Sequence, residues 1–407
     1  MRGLASLLVF ALPWLATAAA PSAARADRAP PIARALEWAP WSFSPDPSEA
    51  GADPLDRALL ARCGPGERGL MVAAQQVAAA YAAGGAMPDR GAIAFFERAA
   101  GEPHPWPEVW VRHASRLDPD ASLADLSRWL ASEPEGALRR CGVATGSLRD
   151  GERVAVVVFA AALADLAPLP TRVRVGEWLE VRAQLRVPAH GGRVVVLGPS
   201  GAPRTLLTSF DGATVRARFA PDAPGAFAVQ VLVDIASGPR PVLEAMVFAE
   251  VAPWPAPLVA PAPGEEQGAF FSGAAGHDPA DAHDPDADAL AAMVAAARAS
   301  AGLPALVRDS RLDAVARAHA RQMAQGQTLA HDAGDGDPMD RLAAAGLRVS
   351  AAAENVAHET TAARVHRAVW ESPSHRANLL GDYDAMGIAA VRDDRGSVWA
   401  VELWTKP

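Results

Sequence analysis

The chain has 407 residues and is therefore too long for one ordinary domain. Half of the residues are apolar and about a fifth are charged, a composition too apolar for a disordered protein. Its net charge of −9 argues against a nucleic-acid-binding protein, because phosphates must be met by a basic surface. The sequence therefore predicts two or three globular domains.

Residues 1–26 have the pattern of a secretory signal peptide. Arg2 precedes an apolar run at positions 4–15, and the triplets at 16–18 and 24–26 match the A-x-A exit of such a leader. The alternative is a buried N-terminal helix. No later apolar run approaches the roughly 20 residues that a membrane span needs. We predict a secreted or periplasmic protein without a transmembrane segment.

Residues 27–53 are rich in Pro and Asp and are predicted to be a tether, whereas residues 54–165 have the pattern of an α+β domain. One helical face is followed by two strand-like runs, CGVATGS and RVAVVVFAA. The helical face consists of Leu70, Ala74, Val77, Ala78 and Tyr81. Cys63 and Cys141 either pair as a disulfide, which export permits, or remain buried thiols.

Residues 169–252 change to short runs of alternating polarity separated by Gly, Pro and Asp turns. This spacing predicts an antiparallel β-sandwich of immunoglobulin-like type, in which we find no chemical motif. Residues 253–284 are rich in Pro and Asp and are predicted to be a linker. Its HDPADAHDPDADAL stretch has Asp and His residues, but their spacing fits no EF-hand.

Residues 285–407 carry the densest signals. Two amphipathic helices come first; Asp309 is predicted to cap the second, and Gly326 is predicted to lie just past its end. A third helix is predicted at about 361–370. A terminal hairpin follows, with strands AMGIAAV and SVWAVELWT and a turn at 393–396.

Seven pieces of this domain resemble the CAP superfamily, which is named for cysteine-rich secretory proteins, antigen 5 and pathogenesis-related proteins, in its bacterial SCP-like form. The pieces are GLPAL, LDAVARAHARQMA, LAH, PMDRLAAAG, AENVA, WESPSHRANLL and MGIAAV…WAVELWT. They occur in the family's order and cover nearly all of the domain. The resemblance implies an α-β-α sandwich around a small, mostly antiparallel sheet.

The resemblance also implies a cavity with two histidines and acidic partners, which hold a divalent cation in some members. The histidines correspond to His331 in LAH and His375 in SPSHRANLL. The acid of the family's GEN motif corresponds to Glu354, with alanine in place of the glycine. A second acid has no clear counterpart, and Glu371 and Glu402 are both candidates.

The residue types give an independent rationale for this site. Two imidazoles and a carboxylate can bind a divalent ion such as zinc and can also exchange protons near neutral pH. The alternative is that each group only ties loops to the core. Of the other histidines, His319 lies on an apolar helical face and is predicted to be structural, whereas His358 and His366 are predicted to lie on the surface.

The end of residues 54–165 resembles the end of the CAP-like domain. Both have a helix that ends in tryptophan, at Trp129 and Trp370, then a Ser/Pro break and a hairpin that turns at an Asp/Arg/Gly cluster. We therefore predict a diverged CAP-like domain, with coincidence between alanine-rich helices as the alternative. This copy lacks both site histidines, and Glu108 is its one candidate for a retained acid.

Three functions remain open at this point. The first is a secreted protein that binds a small ligand, an ion or an envelope component through its His/Glu cavity, with the middle domain as a spacer or adhesive unit. The second is an extracellular metal-dependent hydrolase acting through His331, Glu354 and His375. The third is an envelope structural protein without a ligand. No nucleophile motif favours catalysis, and the family's fold does not select an activity.

Overall fold

The computed structural model describes residues 53–84, 87–88, 90–131, 138–148, 151–199, 201–253 and 284–407. The predicted signal peptide and nearly all of the predicted tether and linker lie outside these ranges. Within them, no helix is both long enough and apolar enough to cross a membrane.

The first segment is a three-stranded antiparallel sheet between two layers of helices. The helices are α1 (Pro54–Cys63), α2 (Arg68–Gly84), α3 (Arg90–Ala99) and α4 (Pro119–Leu130), and the strands are β1 (Glu108–Ala114), β2 (Leu138–Ser147) and β3 (Arg153–Ala162). The strand order is β1-β3-β2. One face of the sheet packs on α1 and α4 and the other on α2 and α3, so β3 is buried on both sides.

A disulfide between Cys63 and Cys141 joins the end of α1 to β2, with the two Cα atoms 6.1 Å apart and 78 positions apart in the chain. Two backbone hydrogen bonds next to it hold the chain before α2 against the same strand, from Glu67 N–H to the Cys141 carbonyl and from Cys141 N–H to the Pro65 carbonyl, each 2.9 Å. The start of α2 is thereby fixed on β2.

The second segment consists of two sheets that share one apolar core. Its strands are β4 (Ala164–Leu166), β5 (Arg172–Val173), β6 (Leu179–Leu185), β7 (Gly191–Leu197), β8 (Arg204–Thr205), β9 (Thr208–Phe210), β10 (Thr214–Phe219), β11 (Gly225–Ile235) and β12 (Gly238–Ala249). The sheet orders are β4-β6-β10-β9 and β5-β12-β11-β7-β8, antiparallel except for the β5–β12 pair. The period-2 alternation of the sequence produces this core, as in β6, where Leu179, Val181 and Ala183 are buried and the residues between them are exposed.

The third segment again places a sheet between helices. Its elements are α5 (Pro285–Ser300), β13 (Val307–Arg308), α6 (Ser310–Gly326), α7 (Pro338–Ala344), β14 (Ala351–Glu359), α8 (Ala362–Glu371), α9 (Pro373–Leu379), β15 (Ala385–Arg392) and β16 (Val398–Lys406). The strand order is β13-β15-β16-β14. One face packs on α5, α8 and α9, and the other on α6 and α7. Asp309 caps α6 and the terminal strands pair as a hairpin, as predicted.

The first and third segments place a long helix against a strand in the same way. In β2, an added Cβ on Gly142 would lie 2.0 Å from the backbone carbonyl carbon of Leu70 in α2. In β15, an added Cβ on Gly387 would lie 2.3 Å from the same atom of Leu312 in α6. Each leucine is the third residue of a 17-residue helix. Only glycine permits these approaches, because no real Cβ comes that close to a backbone atom.

We predict that replacing both disulfide cysteines by serine lowers the free energy of unfolding by about 4 kcal/mol, since the bond closes a long loop in the unfolded chain. Urea denaturation of the wild-type protein and of the Cys63→Ser/Cys141→Ser variant measures the difference. Equal unfolding midpoints and slopes for the two proteins would contradict the prediction.

We predict that Gly142→Ala destabilises the protein by about 2 kcal/mol or more, because the added methyl group overlaps the backbone of α2. Gly146→Ala in the same strand is the matched control, since its Cβ would make only an ordinary contact 3.6 Å from Val154. Thermal unfolding of both variants tests the difference. A Gly142→Ala protein as stable as the control would refute the close approach.

Candidate functional site

Four of the five predicted site residues, all except Glu371, lie around β14, which is one of the two edge strands of the third segment. Successive side chains of a strand point to opposite faces, so Glu354 faces the layer of α6 and α7, and Asn355 faces the layer of α8 and α9. Both side chains are buried, at 5% and 1% exposure. The site is therefore built on the two sides of one strand.

Both carboxylate oxygens of Glu354 are occupied. Oε1 lies 2.9 Å from Nδ1 of His331, and Oε2 accepts a hydrogen bond from the guanidinium of Arg341. The Arg341 side chain also donates to the backbone carbonyls of His331, at 2.7 Å, and Gly336. This buried arginine neutralises Glu354 and fixes the loop that carries His331.

His319 holds the other end of that loop. Its ring is fully buried in α6, with Nδ1 2.8 Å from Oδ2 of Asp335 and Nε2 3.0 Å from the carbonyl oxygen of Ala330. Nε2 also lies 3.8 Å from Oε1 of Glu354. Since both ring nitrogens face protein oxygens, His319 positions the loop, in agreement with the structural role predicted for it.

A network of amides connects the opposite face of β14 to α9. The Nδ2 group of Asn355 donates to the His375 carbonyl at 3.1 Å and to Oε2 of Glu402 at 3.2 Å. The Nδ2 group of Asn378 donates to Oδ1 of Asn355 at 2.9 Å and to the Glu354 carbonyl at 3.2 Å. These bonds fix the position of the helix that carries His375.

Burial shifts the titration of two site residues in opposite directions. Burial lowers the pKa of the partly buried His375 to about 4, and the charge of His331 acts in the same sense. Burial raises the pKa of Glu402 to about 7, against the opposing effect of its hydrogen bond from Asn355. His375 is therefore a neutral imidazole at physiological pH, and Glu402 exchanges its proton near neutrality.

The five predicted site residues do not all converge. His331 and Glu354 are in contact, and His375 is near enough to His331 for the charge of one to affect the other. Glu402 is buried on the other face of the sheet from Glu354 and reaches His375 only through Asn355. Glu371 is exposed at the end of α8.

Two histidines predicted to lie on the surface require correction. His366 is fully buried, because it shares the inward face of α8 with Ala362, Val365 and Val369. His358 is partly buried and stacks on Trp399, with 4.0 Å between ring centroids. The spacing of the apolar residues around His366 could have placed it on the buried face, whereas no local pattern indicated the stacking of His358 on Trp399.

The described residues do not fit a divalent ion as they are arranged. Within the ranges that the structure covers, no three His, Cys, Asp or Glu side chains come close enough to hold a metal. The guanidinium of Arg341 also occupies the carboxylate that a cation would need. Zinc binding by His331, His375 and Glu354 stays a prediction, and it would require Arg341 to move away.

The first segment has no equivalent of Glu354. In the third segment, Leu403 of β16 pairs with Glu354 on one side and with Gly387 on the other. In the first segment, Val158 of β3 pairs in the same way with Val109 and Gly142. Val109 is therefore the residue at the position of Glu354. The position of the acid is thus taken by an apolar residue. Glu108, the predicted retained acid, lies one position away. The one-residue offset could not be seen without the strand register.

One family model matches most of the third segment. Residues 291–405 match the model of CAP, the cysteine-rich secretory protein family. No curated protein matches the chain.

Three solved structures are among those similar to the chain. An outer surface protein from Borrelia burgdorferi is 26% identical over 30% of this chain and 92% of its own, with a TM-score of 0.29. An extracellular protein with an SCP domain from Bacillus anthracis is 14% identical over 56% and 78%, with a TM-score of 0.30. A cysteine-rich secretory protein from Staphylococcus aureus is 13% identical over 60% and 86%, with a TM-score of 0.27. The motifs in family order and the family match show that the C-terminal segment of this chain, residues 291–405, is a CAP domain.

Proposed function

We propose that this is a secreted protein whose CAP domain binds a small polar ligand in the cavity at the edge of β14. The leader-like residues 1–26 and the CAP domain itself support export. The polar side chains that gather at one edge strand support a binding role. His331 and His375 are the residues that we expect to contact the ligand.

The ring of His375 carries this proposal. The ring is partly buried and neutral at physiological pH, and no described residue forms a hydrogen bond with it. A neutral imidazole offers one donor and one acceptor. Buried polar groups are normally hydrogen-bonded. The backbone of His375 is held by hydrogen bonds, but its ring has no hydrogen-bond partner among the described residues. The ring is therefore suited to a ligand that presents both a donor and an acceptor.

The occupied carboxylate of Glu354 favours binding over catalysis. A general base must be free to take a proton from the substrate or from water. Glu354 instead accepts from Arg341 and contacts His331. The metal-dependent hydrolase and the envelope protein without a ligand stay predictions, and no contact of the described residues favours either of them.

We also propose that the first segment is a diverged CAP-like domain and that the second is an immunoglobulin-like sandwich. The shared strand order and the paired contacts of Gly142 with Leu70 and Gly387 with Leu312 support the first proposal. The two sheets around one core support the second. The first segment would then retain the CAP frame without its site.

We predict that His375→Ala and His331→Ala abolish binding of small polar fragments. The probes are monosaccharides, free amino acids and short hydroxy acids. Each is titrated into the full chain, and binding is measured by NMR as a shift of the histidine imidazole resonances. His113→Ala is the control, since its half-exposed ring lies in the first segment. Binding should persist to about pH 5 and fall towards pH 4, where His375 becomes protonated.

A parallel titration with zinc chloride separates the two kinds of site. Tight zinc binding that both histidine variants abolish, with no response to any fragment, would contradict the ligand proposal and establish the metal site. Fragment binding that survives in both variants would place the ligand elsewhere.

We predict that Glu402→Gln changes how stability depends on pH. The folded protein retains the Glu402 proton up to a pKa of about 7, whereas the unfolded chain releases it near 4.5, so ionisation weakens the folded state as pH rises between these values. Relative to wild type, the variant should gain about 3 kcal/mol of unfolding free energy between pH 4.5 and pH 8. Urea denaturation across this range, with exposed Glu180→Gln as the control, measures it. A constant difference across the range would contradict the shifted pKa.

A further inference from the structure

The outer face of the five-stranded sheet is not a free surface. Val195 and Leu232 are 2% and 3% exposed, although neither belongs to the core between the two sheets. Their strands, β7 and β11, contact α9 of the CAP domain. Since α9 carries His375, the sandwich lies directly against one side of the candidate site and is more than a spacer.

A buried glutamine on this face holds the start of α9. Gln230 is fully buried, and its Oε1 accepts a hydrogen bond from the backbone N–H of Ser374 at 3.0 Å. Its Nε2 donates to Oε1 of Glu244 at 2.6 Å and lies 3.3 Å from Oγ of Ser372. Ser372, at the N-cap position of α9, makes no side-chain capping bond of its own. The sandwich therefore supplies the cap of the helix turn that contains His375.

The turn between β11 and β12 lies on the other histidine. Asp332, the residue after His331, donates its backbone N–H to the Ser237 carbonyl at 3.1 Å. Gly238 has a φ of +104°, and an added Cβ there would lie 2.6 Å from Cβ of His331. Position 238 therefore requires glycine for two reasons: its backbone has a positive φ, and a Cβ atom would overlap His331.

We propose that the sandwich forms part of the CAP cavity, with Gln230 positioning His375 and the turn at 235–238 covering His331. This inference rests on the proposed function for the identity of the cavity as a ligand site. Both histidines are held by bonds to the residues next to them, Asp332 and Ser374. A ligand that reaches the histidines must then fit between the CAP domain and the sandwich.

Gly238→Ala tests the cover over His331. The added methyl group must push the turn away from His331, so the ring should become more accessible. Gly212→Ala is the matched control, because Gly212 has a similar φ of +89° but open space around its Cβ. Diethyl pyrocarbonate should modify His331 about tenfold faster in Gly238→Ala than in either wild type or control, as mapped by mass spectrometry on the full chain. Equal rates in all three proteins would refute the cover.

Gln230→Met tests the positioning of His375. Methionine has a similar length but cannot cap α9, so the His375 ring should become more hydrated, and its pKa should rise from about 4 towards the ordinary 6.5. Gln184→Met, at an exposed position on the other sheet, is the control. NMR titration of the histidine ring reports this change, which a general loss of stability would not produce. An unchanged titration of His375 in a folded Gln230→Met protein would refute the positioning role.

The experiments distinguish failure of this inference from failure of the proposed function. If both variants respond as expected but no fragment shifts the histidine resonances of the wild-type protein, the sandwich covers the cavity and the ligand-binding proposal is wrong. If fragments bind to the wild-type protein and neither variant changes the histidines or the binding, the ligand site is correct and the sandwich is not part of it.

Discussion

The alternation of side chains along β14 determines which polar groups lie on each side of this strand. Glu354 and Asn355 are consecutive, so one extends into the layer with Arg341 and the other into the layer with Asn378. A slip of one residue in pairing with β16 would exchange the two groups and leave a carboxylate without its arginine. The antiparallel register of β14 with β16 therefore fixes both the charge balance and the orientation of the helix that bears His375.

The sequence was a good guide to the elements and a poorer guide to the partners of the site residues. Periodicity and caps predicted the long helices and the terminal hairpin, because these depend on local pattern and on single residues such as Asp309. Family motifs identified His331 and Glu354 as neighbours. Arg341 lay within a recognised motif, yet its contact with Glu354 spans the loop and β14, and no local pattern reveals such a contact. The buried position of His366, by contrast, follows the helical spacing of Ala362, Val365 and Val369 and could have been predicted.

Arg341 and Gln230 are buried polar side chains that hold the segments bearing His331 and His375. Arg341 makes Glu354 part of a closed ion pair, which is why the proposed ligand is assigned to the ring of His375 rather than to the acid. Gln230 comes from a segment that gave no chemical signal, because an isolated glutamine in a strand is indistinguishable from a surface residue. Its importance follows only from the packing of β11 against α9. Gln230 is fully buried but does not belong to the apolar core, and this observation reveals its structural role.

The glycines that face the two long helices offer a way to trace ancestry. A histidine that binds a ligand is free to drift once the ligand is lost, whereas Gly142 is held by the backbone of α2 whatever the domain does. If the first segment is a diverged CAP-like domain, as we propose, its frame should therefore outlast its site. On that proposal, a strand glycine packed on the third residue of a long helix is the trace of the CAP frame that remains where the site histidines are gone.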